Sequence, residues 1–189
     1  DNGSNSVQIK VVVPKGKYRI DKLLEIYSNT WLYLEDGATI VRNFDKGCMI
    51  KNAQANGAGG YGSERNIVIE GGCWDGNPSS TSRPFSNMRF GHMKNLWIKN
   101  VEIKNNYNGH HVEIGGVKGI TIEDCDFHGY TGTFQKEAIQ LDTISNSDVF
   151  PAYEPFDDTP CDNAVINNNK FHDLIRGLGS HSALSLIHI

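Results

Sequence analysis

Asn95-Leu96-Trp97-Ile98, continuing to Ile103, carries the pattern that decides the fold of this chain. Two apolar residues stand two positions apart, and a large apolar residue follows the second of them by five positions. Three further segments repeat this arrangement, namely residues 66–74, 119–127 and 163–171. Apolar side chains at alternate positions are typical of β-strands, because successive strand residues point to opposite faces.

The repeats are spaced like the turns of a solenoid. Their first residues, at positions 66, 95, 119 and 163, lie 29, 24 and 44 residues apart. A step near 24 residues suits one turn of three short strands, whereas helical repeats are usually longer and show a 3.6-residue period. The sequence therefore predicts an all-β fold of stacked parallel strands, in which the longest step is a turn that carries an insertion.

A third strand follows in each turn, marked again by apolar residues two positions apart. The pairs are Met88 and Phe90, Val112 and Ile114, and Ile139 and Leu141. The return to the next repeat is long only after the last pair, so the insertion is predicted over residues 143–162. Upstream, apolar runs predict further strands at residues 11–13, 24–26, 31–34 and 38–41.

Stacking places equivalent apolar residues above one another in the interior. One predicted ladder consists of Ile69, Ile98, Ile122 and Ile166, and a second of Trp74, Ile103, Phe127 and Phe171. A sharp bend is predicted two positions after the first ladder, because Gly, Asn and Asp tolerate a left-handed backbone. The bend residues are Gly71, Asn100, Asp124 and Asn168.

Three turn-and-core motifs resemble the pectin-lyase-like superfamily, which includes pectate lyases, polygalacturonases and related bacterial β-helix proteins. The motifs are PKGKYRI at residues 14–20, LEDGATI at residues 34–40 and IVIEGGCWDGN at residues 67–77. The resemblance implies a single-stranded right-handed parallel β-helix (a solenoid) over residues 1–183, incomplete at its C-terminus. It also implies a secreted or cell-surface bacterial protein that acts on polysaccharides, and it covers residues 9–182.

The catalytic motifs of that superfamily are missing here. Polygalacturonases carry Asn-Thr-Asp, Asp-Asp, Gly-His-Gly and Arg-Ile-Lys motifs. In this chain the first and last are absent, Asp157-Asp158 lies in the insertion, and Gly109-His110-His111 lacks the final glycine. The resemblance therefore indicates the fold without fixing a reaction.

Composition excludes several classes of function. Of the 189 residues, 38% are hydrophobic and 21% charged, and the longest apolar runs are far too short to span a membrane. A net charge of −4 argues against a nucleic-acid partner. The four cysteines, at positions 48, 73, 125 and 161, form no CxxC pair, so small buried side chains are expected, with disulfides left open.

The alternation within the third strands predicts a polar column on their outer side. With Val112 and Ile114 inside, His111 and Glu113 are expected outside, and Gln140 and Asp142 likewise flank Leu141. Arg89 is expected on the same face one turn before Glu113, and His181 one turn after Asp142. Glu113, Asp142 and His111 are the candidate catalytic residues, since glycosidic cleavage by hydrolysis or elimination needs a paired acid and base.

The insertion would form one wall of a groove beside this column. Phe150, Tyr153 and Phe156 either stack on sugar rings or pack the loop onto the protein. Predicted substrate-binding residues are Arg89, Gln140, His181, Tyr153 and Phe156. His128 and His172 share one repeat position and are interpreted as turn residues. No metal site or other cofactor is predicted, although a lyase would admit calcium.

Two functions follow from this pattern. The first is hydrolysis or elimination of a glycosidic bond in a polysaccharide, and the second is non-catalytic glycan binding by an adhesin or phage-tail-like module. An enzyme needs an acid and a base within reach of one linkage, whereas a binding module needs only aromatic and hydrogen-bonding groups. The oligomeric state, the glycan and the bond remain open.

The last six residues interrupt the repeat. Leu184-Ser185-Leu186-Ile187-His188-Ile189 matches the translation of a transposase adaptor used in DNA library preparation. Residues 184–189 are therefore expected to be a non-native tail on a fragment of a longer protein. Finding the hexapeptide encoded in the parent gene, ahead of a stop codon, would refute this interpretation.

Overall fold

The fold is built almost entirely from β-strands. The computed structural model describes residues 9–54, 57–151 and 153–180, together with the backbone of residues 187–188. In this part of the chain the only helical element is a 3₁₀ turn at Pro78–Ser80. The strands are β1 (Ile9–Val13), β2 (Gly16–Ile20), β3 (Leu24–Ile26), β4 (Thr30–Leu34), β5 (Ala38–Arg42), β6 (Ile50–Asn52), β7 (Glu64–Glu70), β8 (Cys73–Asp75), β9 (Met88–Lys99), β10 (Glu102–Tyr107), β11 (Val112–Glu123), β12 (Asp126–Thr131), β13 (Glu137–Asp142), β14 (Asp162–Asn167), β15 (Lys170–His172), β16 (Arg176–Gly179) and β17 (Ile187–His188).

The described strands pair in parallel and form three stacks. The first stack contains β1, β4, β7, the second halves of β9 and β11, β14 and β17. The second stack runs β2, β5, β8, β10, β12 and β15. The third contains β3, β6, the first halves of β9 and β11, β13 and β16. The 12-residue strands β9 and β11 belong to both the first and the third stack.

Both predicted interior ladders are confirmed by the strand register. Ile98 pairs with Ile69 and Ile122, and Ile122 pairs with Ile166. Trp74, Ile103, Phe127 and Phe171 align in the same way, and the rings of Phe127 and Phe171 stack 5.2 Å apart. Phe171 is nevertheless 39% exposed, since β15 is the last strand of its stack in the described part of the chain.

The bends between stacks use the predicted left-handed backbone. Gly71, Asn100, Asp124 and Asn168 have φ of 77°, 54°, 55° and 51°. A second bend, ahead of the first stack, adds a hydrogen-bonded asparagine ladder. Its members are Asn29, Asn66 and Asn95. The Asn95 amide donates to Asn66 Oδ1 and the Asn66 amide donates to Asn29 Oδ1, each at 2.8 Å. Side chains of this length satisfy a turn's polar groups locally, which explains the abundance of asparagine.

Several local predictions need correction. The strand β6 was not foreseen. His128 and His172 lie in strands β12 and β15, not in turns, although they do occupy equivalent positions. The four cysteines are buried free thiols.

Two observations concern the ends of elements. The connection from β13 to β14 covers residues 143–161, where the insertion was predicted. Ile187–His188 pairs with β14 through the backbone, which leaves the origin of the hexapeptide a prediction. In the described part of the chain, no helix is long or apolar enough to cross a bilayer.

Candidate binding site

The third stack carries the predicted outer column in the expected order. Arg89 pairs with Glu113, Glu113 with Gln140, and Gln140 with Gly179. Lys51 and Glu25 extend the same column in the opposite direction. Parallel stacking therefore brings side chains from separate turns into neighbouring positions about 4.8 Å apart, as strand spacing requires.

The insertion, hereafter the covering loop (residues 143–161), closes over this column. Phe150 and Tyr153 are both fully buried. A Cβ atom on Gly115 would lie 2.8 Å from the Phe150 ring, and one on Gly91 would lie 2.7 Å from the Tyr153 ring. Glycine is therefore required at both places, because the rings rest directly on the strand backbone. These two aromatic side chains hold the loop down instead of facing solvent.

Polar contacts fix the rest of the covering loop. The Tyr153 hydroxyl donates to Asn52 Oδ1 at 2.9 Å. The ring nitrogens of His92 each lie 2.9 Å from a backbone carbonyl oxygen, one of Gly60 and the other of Pro155. Asp157 accepts from the Gly60 amide at 2.7 Å and from Thr159, so its carboxylate organises the loop.

Two predicted polar residues lie beneath the covering loop. Gln140 and Asp142 are buried, and the Gln140 amide donates to Asp142 Oδ1 at 2.9 Å. The expectation that these side chains face an open groove is wrong, because the loop covers them. Phe156, by contrast, is 37% exposed but lies outside the pocket described below. His181 falls outside the described residues.

His111 points inward, contrary to the prediction. It immediately precedes β11, and its ring meets the interior ring of Phe127 edge-on, with centroids 6.3 Å apart. Its Nε2 lies 2.9 Å from the carbonyl oxygen of His128. Burial lowers the pKa of His111 to about 4, so the imidazole is neutral at physiological pH. This placement gives no support to a role for His111 as a general base on the outer face.

Glu113 is held by three hydrogen bonds to one oxygen. Arg89 Nε and Nη2 donate to Glu113 Oε2 at 2.9 and 2.7 Å, and the Ser86 hydroxyl donates to it at 2.7 Å. Burial by itself would raise the pKa of Glu113, but the positive charge of Arg89 and these hydrogen bonds outweigh it and lower the pKa. Glu113 is therefore a carboxylate, whereas a general acid needs a raised pKa.

A surface pocket opens beside this ion pair. Its volume is about 250 Å³. Its polar and aromatic lining comes from Phe85, Ser86, Arg89, Asn108, His110, Glu113, Phe134, Lys136 and Asp148. Four segments meet here, namely the turn before β9, the turn before β11, the loop from β12 to β13 and the covering loop. Asp142 is not part of the lining, so the predicted acid and base do not face one cavity.

Some pocket residues were not recognised from sequence. His110 was not among the predicted site residues, yet it lines the pocket; it is buried, and its Nδ1 lies 2.9 Å from the Glu137 carbonyl oxygen. Burial also lowers the pKa of His110. Phe134 is 52% exposed at the rim beside Lys136. The sequence did contain an indication of this site, because an aromatic residue, Phe134, and a lysine, Lys136, lie in the short connection that leads into β13.

The pocket does not bring the predicted pair Glu113 and Asp142 together, although a second carboxylate, that of Asp148, also lines it. It presents an exposed ring, a lysine, hydroxyl and amide groups, and a carboxylate already neutralised by arginine. Such a set suits recognition of a polar ligand, because apolar stacking and a few hydrogen-bonding groups together fix its orientation. Fold and pocket together define an all-β protein of parallel strands with a small polar recess.

Comparisons with known proteins specify the class further. The chain is 26% identical over 207 aligned residues to plasmin and fibronectin-binding protein A of Streptococcus pneumoniae, covering 90% of this chain and 28% of that protein. The structure of this pneumococcal surface adhesin, PfbA, superposes with a TM-score of 0.76 at 22% identity, over 91% of this chain and 48% of that one. The chain thus spans less than half of these relatives.

Another solved structure has the same fold at lower identity. It is described as a "putative glycosyl hydrolase" from Parabacteroides merdae, with a TM-score of 0.66 at 14% identity over 94% of this chain and 80% of that one. No protein-family model matches the chain. The similarity to surface adhesins makes this a bacterial cell-surface protein, as its sequence predicts.

Proposed function

We propose that this chain is the binding module of a bacterial cell-surface adhesin, built as a right-handed parallel β-helix of the pectin-lyase-like kind. Its pocket beside the covering loop receives a saccharide of a host surface glycan. The observation that carries the adhesin part of this proposal is the similarity to a pneumococcal adhesin over 90% of the chain, whereas the saccharide is inferred from the pocket lining. That relative is described as binding plasmin and fibronectin, so a protein surface is the alternative partner.

The chemistry of the pocket supports binding over catalysis. Phe134 offers an exposed ring for stacking on a sugar face, and the Lys136 ammonium offers hydrogen-bond donors. Glu113 is engaged by Arg89, and Asp142 lies under the covering loop. Cleavage of a glycosidic bond therefore gains no support from the site, and the hydrolase-like neighbour shares only the fold.

The test is a binding screen of the purified chain with product detection. Immobilised host glycans form one arm, and immobilised fibronectin and plasmin form the other. We expect Phe134→Ala and Lys136→Ala to weaken glycan binding at least tenfold. Tyr27→Ala, which removes a ring 54% exposed elsewhere on the surface, and Lys17→Ala are the matched controls and should bind as the unaltered chain does.

Three results would contradict the proposal. Release of sugar products would make the protein an enzyme. Binding of fibronectin or plasmin without any glycan would move the partner to protein. Equal glycan binding by the Phe134 and Lys136 variants would move the site away from the pocket.

A further inference from the structure

The outer side of the second stack carries a separate cluster of metal-binding side chains. Along β10, β12 and β15, register places Asp126 beside Glu102 and His172 beside His128. These strands lie in the stack that does not carry the covering loop, and His172 is 49% exposed. This cluster is distinct from the pocket proposed to bind glycan.

The geometry of three of these groups suits a single small ion. One ligand atom from each of Asp126, His128 and His172 lies within 4.8 Å of the other two. The two imidazole rings stack 4.6 Å apart at an angle of 11°. Each Nε2 faces a carboxylate of the preceding strand, Glu102 at 3.0 Å for His128 and Asp126 at 2.9 Å for His172. Ligand atoms around a tetrahedral zinc ion, at bonds of about 2.0–2.2 Å, lie about 3.4 Å apart, which needs only small side-chain shifts.

A second carboxylate orients one of the histidines. Asp173 Oδ2 lies 3.1 Å from His172 Nδ1, while Nε2 of the same ring faces Asp126 Oδ1 at 2.9 Å. A metal-bound histidine usually donates its other ring N–H to a carboxylate, which fixes the ring and its tautomer. Asp173 already stands in that position. This contact, made on the side of the ring away from Asp126, is an observation independent of the cluster itself.

We infer that Asp126, His128 and His172 form a binding site for a divalent transition metal of the zinc class. Two imidazoles and one carboxylate favour zinc over calcium or magnesium, which prefer oxygen ligands. Because the ligands come from adjacent strands, the ion would join β15 to β12. Binding would therefore stabilise the last turn, where Phe171 is only partly covered.

The test is zinc titration of the untagged, metal-free chain by isothermal calorimetry, with thermal unfolding measured in parallel. We expect one zinc ion per chain, a dissociation constant in the micromolar range or below, and a higher Tm with zinc. His128→Ala and His172→Ala should abolish both effects. Asp173→Ala should weaken binding by about 10–100-fold, as removal of a histidine's carboxylate partner does elsewhere.

Two further measurements distinguish this cluster from the histidines near the C-terminus. A His181→Ala/His188→Ala double variant removes those two side chains and should bind zinc normally. X-ray absorption at the zinc edge should show two imidazole ligands and oxygen. The inference fails if zinc does not bind, if the His128 and His172 variants still bind it, or if only the double variant loses it. Circular dichroism confirms that each variant is folded.

Discussion

The outer faces of the second and third stacks are built alike yet have opposite environments. Each presents charged side chains, with Glu102 and Lys104 two positions apart in β10 on one face and Glu113 and Arg89 paired across strands on the other. The Glu102 side chain is 36% exposed, whereas that of Glu113 is 6% exposed. The covering loop packs onto the third stack, over Gly91 and Gly115, and not onto the second.

The difference shows that strand alternation decides which side a residue occupies but not whether that side meets water. On the second stack the charged side chains are partly exposed, so solvent screens their pairing. On the third stack the loop removes water, and each buried charge then requires a partner. Arg89 and Glu113 consequently belong to the packed structure as much as to the pocket.

The largest expected effect comes from breaking the covered ion pair. Glu113→Ala leaves the Arg89 guanidinium buried without its carboxylate, and the free energy of unfolding should fall by about 3–5 kcal/mol. Urea denaturation followed by circular dichroism measures this change. A loss below about 1 kcal/mol would mean that the pair behaves as an exposed one.

The second effect concerns pH and a buried histidine. The folded pKa of His111 is about 4, below the ordinary value of 6.5 for an unfolded chain. Between these values only the unfolded state binds the proton, so stability is full above pH 6.5 and falls as pH drops toward 4. The loss amounts to about 3 kcal/mol. Denaturation at several pH values should show this slope. His111→Asn should reduce it, and the remainder is expected from His110, whose pKa is also lowered by burial.

A smaller effect is expected where the covering loop meets the strands. Gly115→Ala places a methyl group against the Phe150 ring, which should cost about 1–3 kcal/mol and loosen the loop. Gly177→Ala is the matched control, because a Cβ there meets its nearest neighbour, the Phe171 ring, at an ordinary 3.5 Å. Limited proteolysis within residues 143–161 should accelerate in the first variant only. Equal rates of proteolysis in the two variants would show that the covering loop does not pack against Gly115.

The smallest effect should come from the exposed column. Glu102→Gln removes the carboxylate that contacts Lys104 at 2.8 Å and His128 at 3.0 Å. Because solvent screens these contacts, we expect a change of less than about 1 kcal/mol, measured by denaturation in EDTA. If Glu102→Gln lowered the free energy of unfolding as much as Glu113→Ala does, the ion pairs on the two outer faces would not differ in strength.

Several features of the fold could be predicted from sequence because they are local and periodic. Apolar residues at every second position identified the ladders from Ile69 to Ile166, and the register from Arg89 to Gly179 followed from equal spacing within turns. Asn100 and Asp124 marked bends because few residue types accept their backbone. β6 escaped detection because three residues with an internal lysine carry too little pattern.

The candidate site was only partly predictable, for a different reason. Sequence placed Arg89 and Glu113 side by side, but it missed Ser86, His110 and Phe134, which reach the pocket from three separate turns. His111 was assigned outside because alternation was extended past the first residue of β11 into a bend. Alternation holds only within a strand, so a residue one position beyond it is oriented by the bend.

The sequence by itself determined the strands, their parallel stacking, the interior ladders and the order of the outer columns. Only the tertiary structure decided which column is covered, since the path of the loop over residues 143–161 depends on Phe150 and Tyr153 finding the bare backbone of Gly115 and Gly91. Those contacts join residues far apart in the chain. Burial, and with it the charge state of Glu113 and the exposure of His172, depends on such distant packing and not on local pattern.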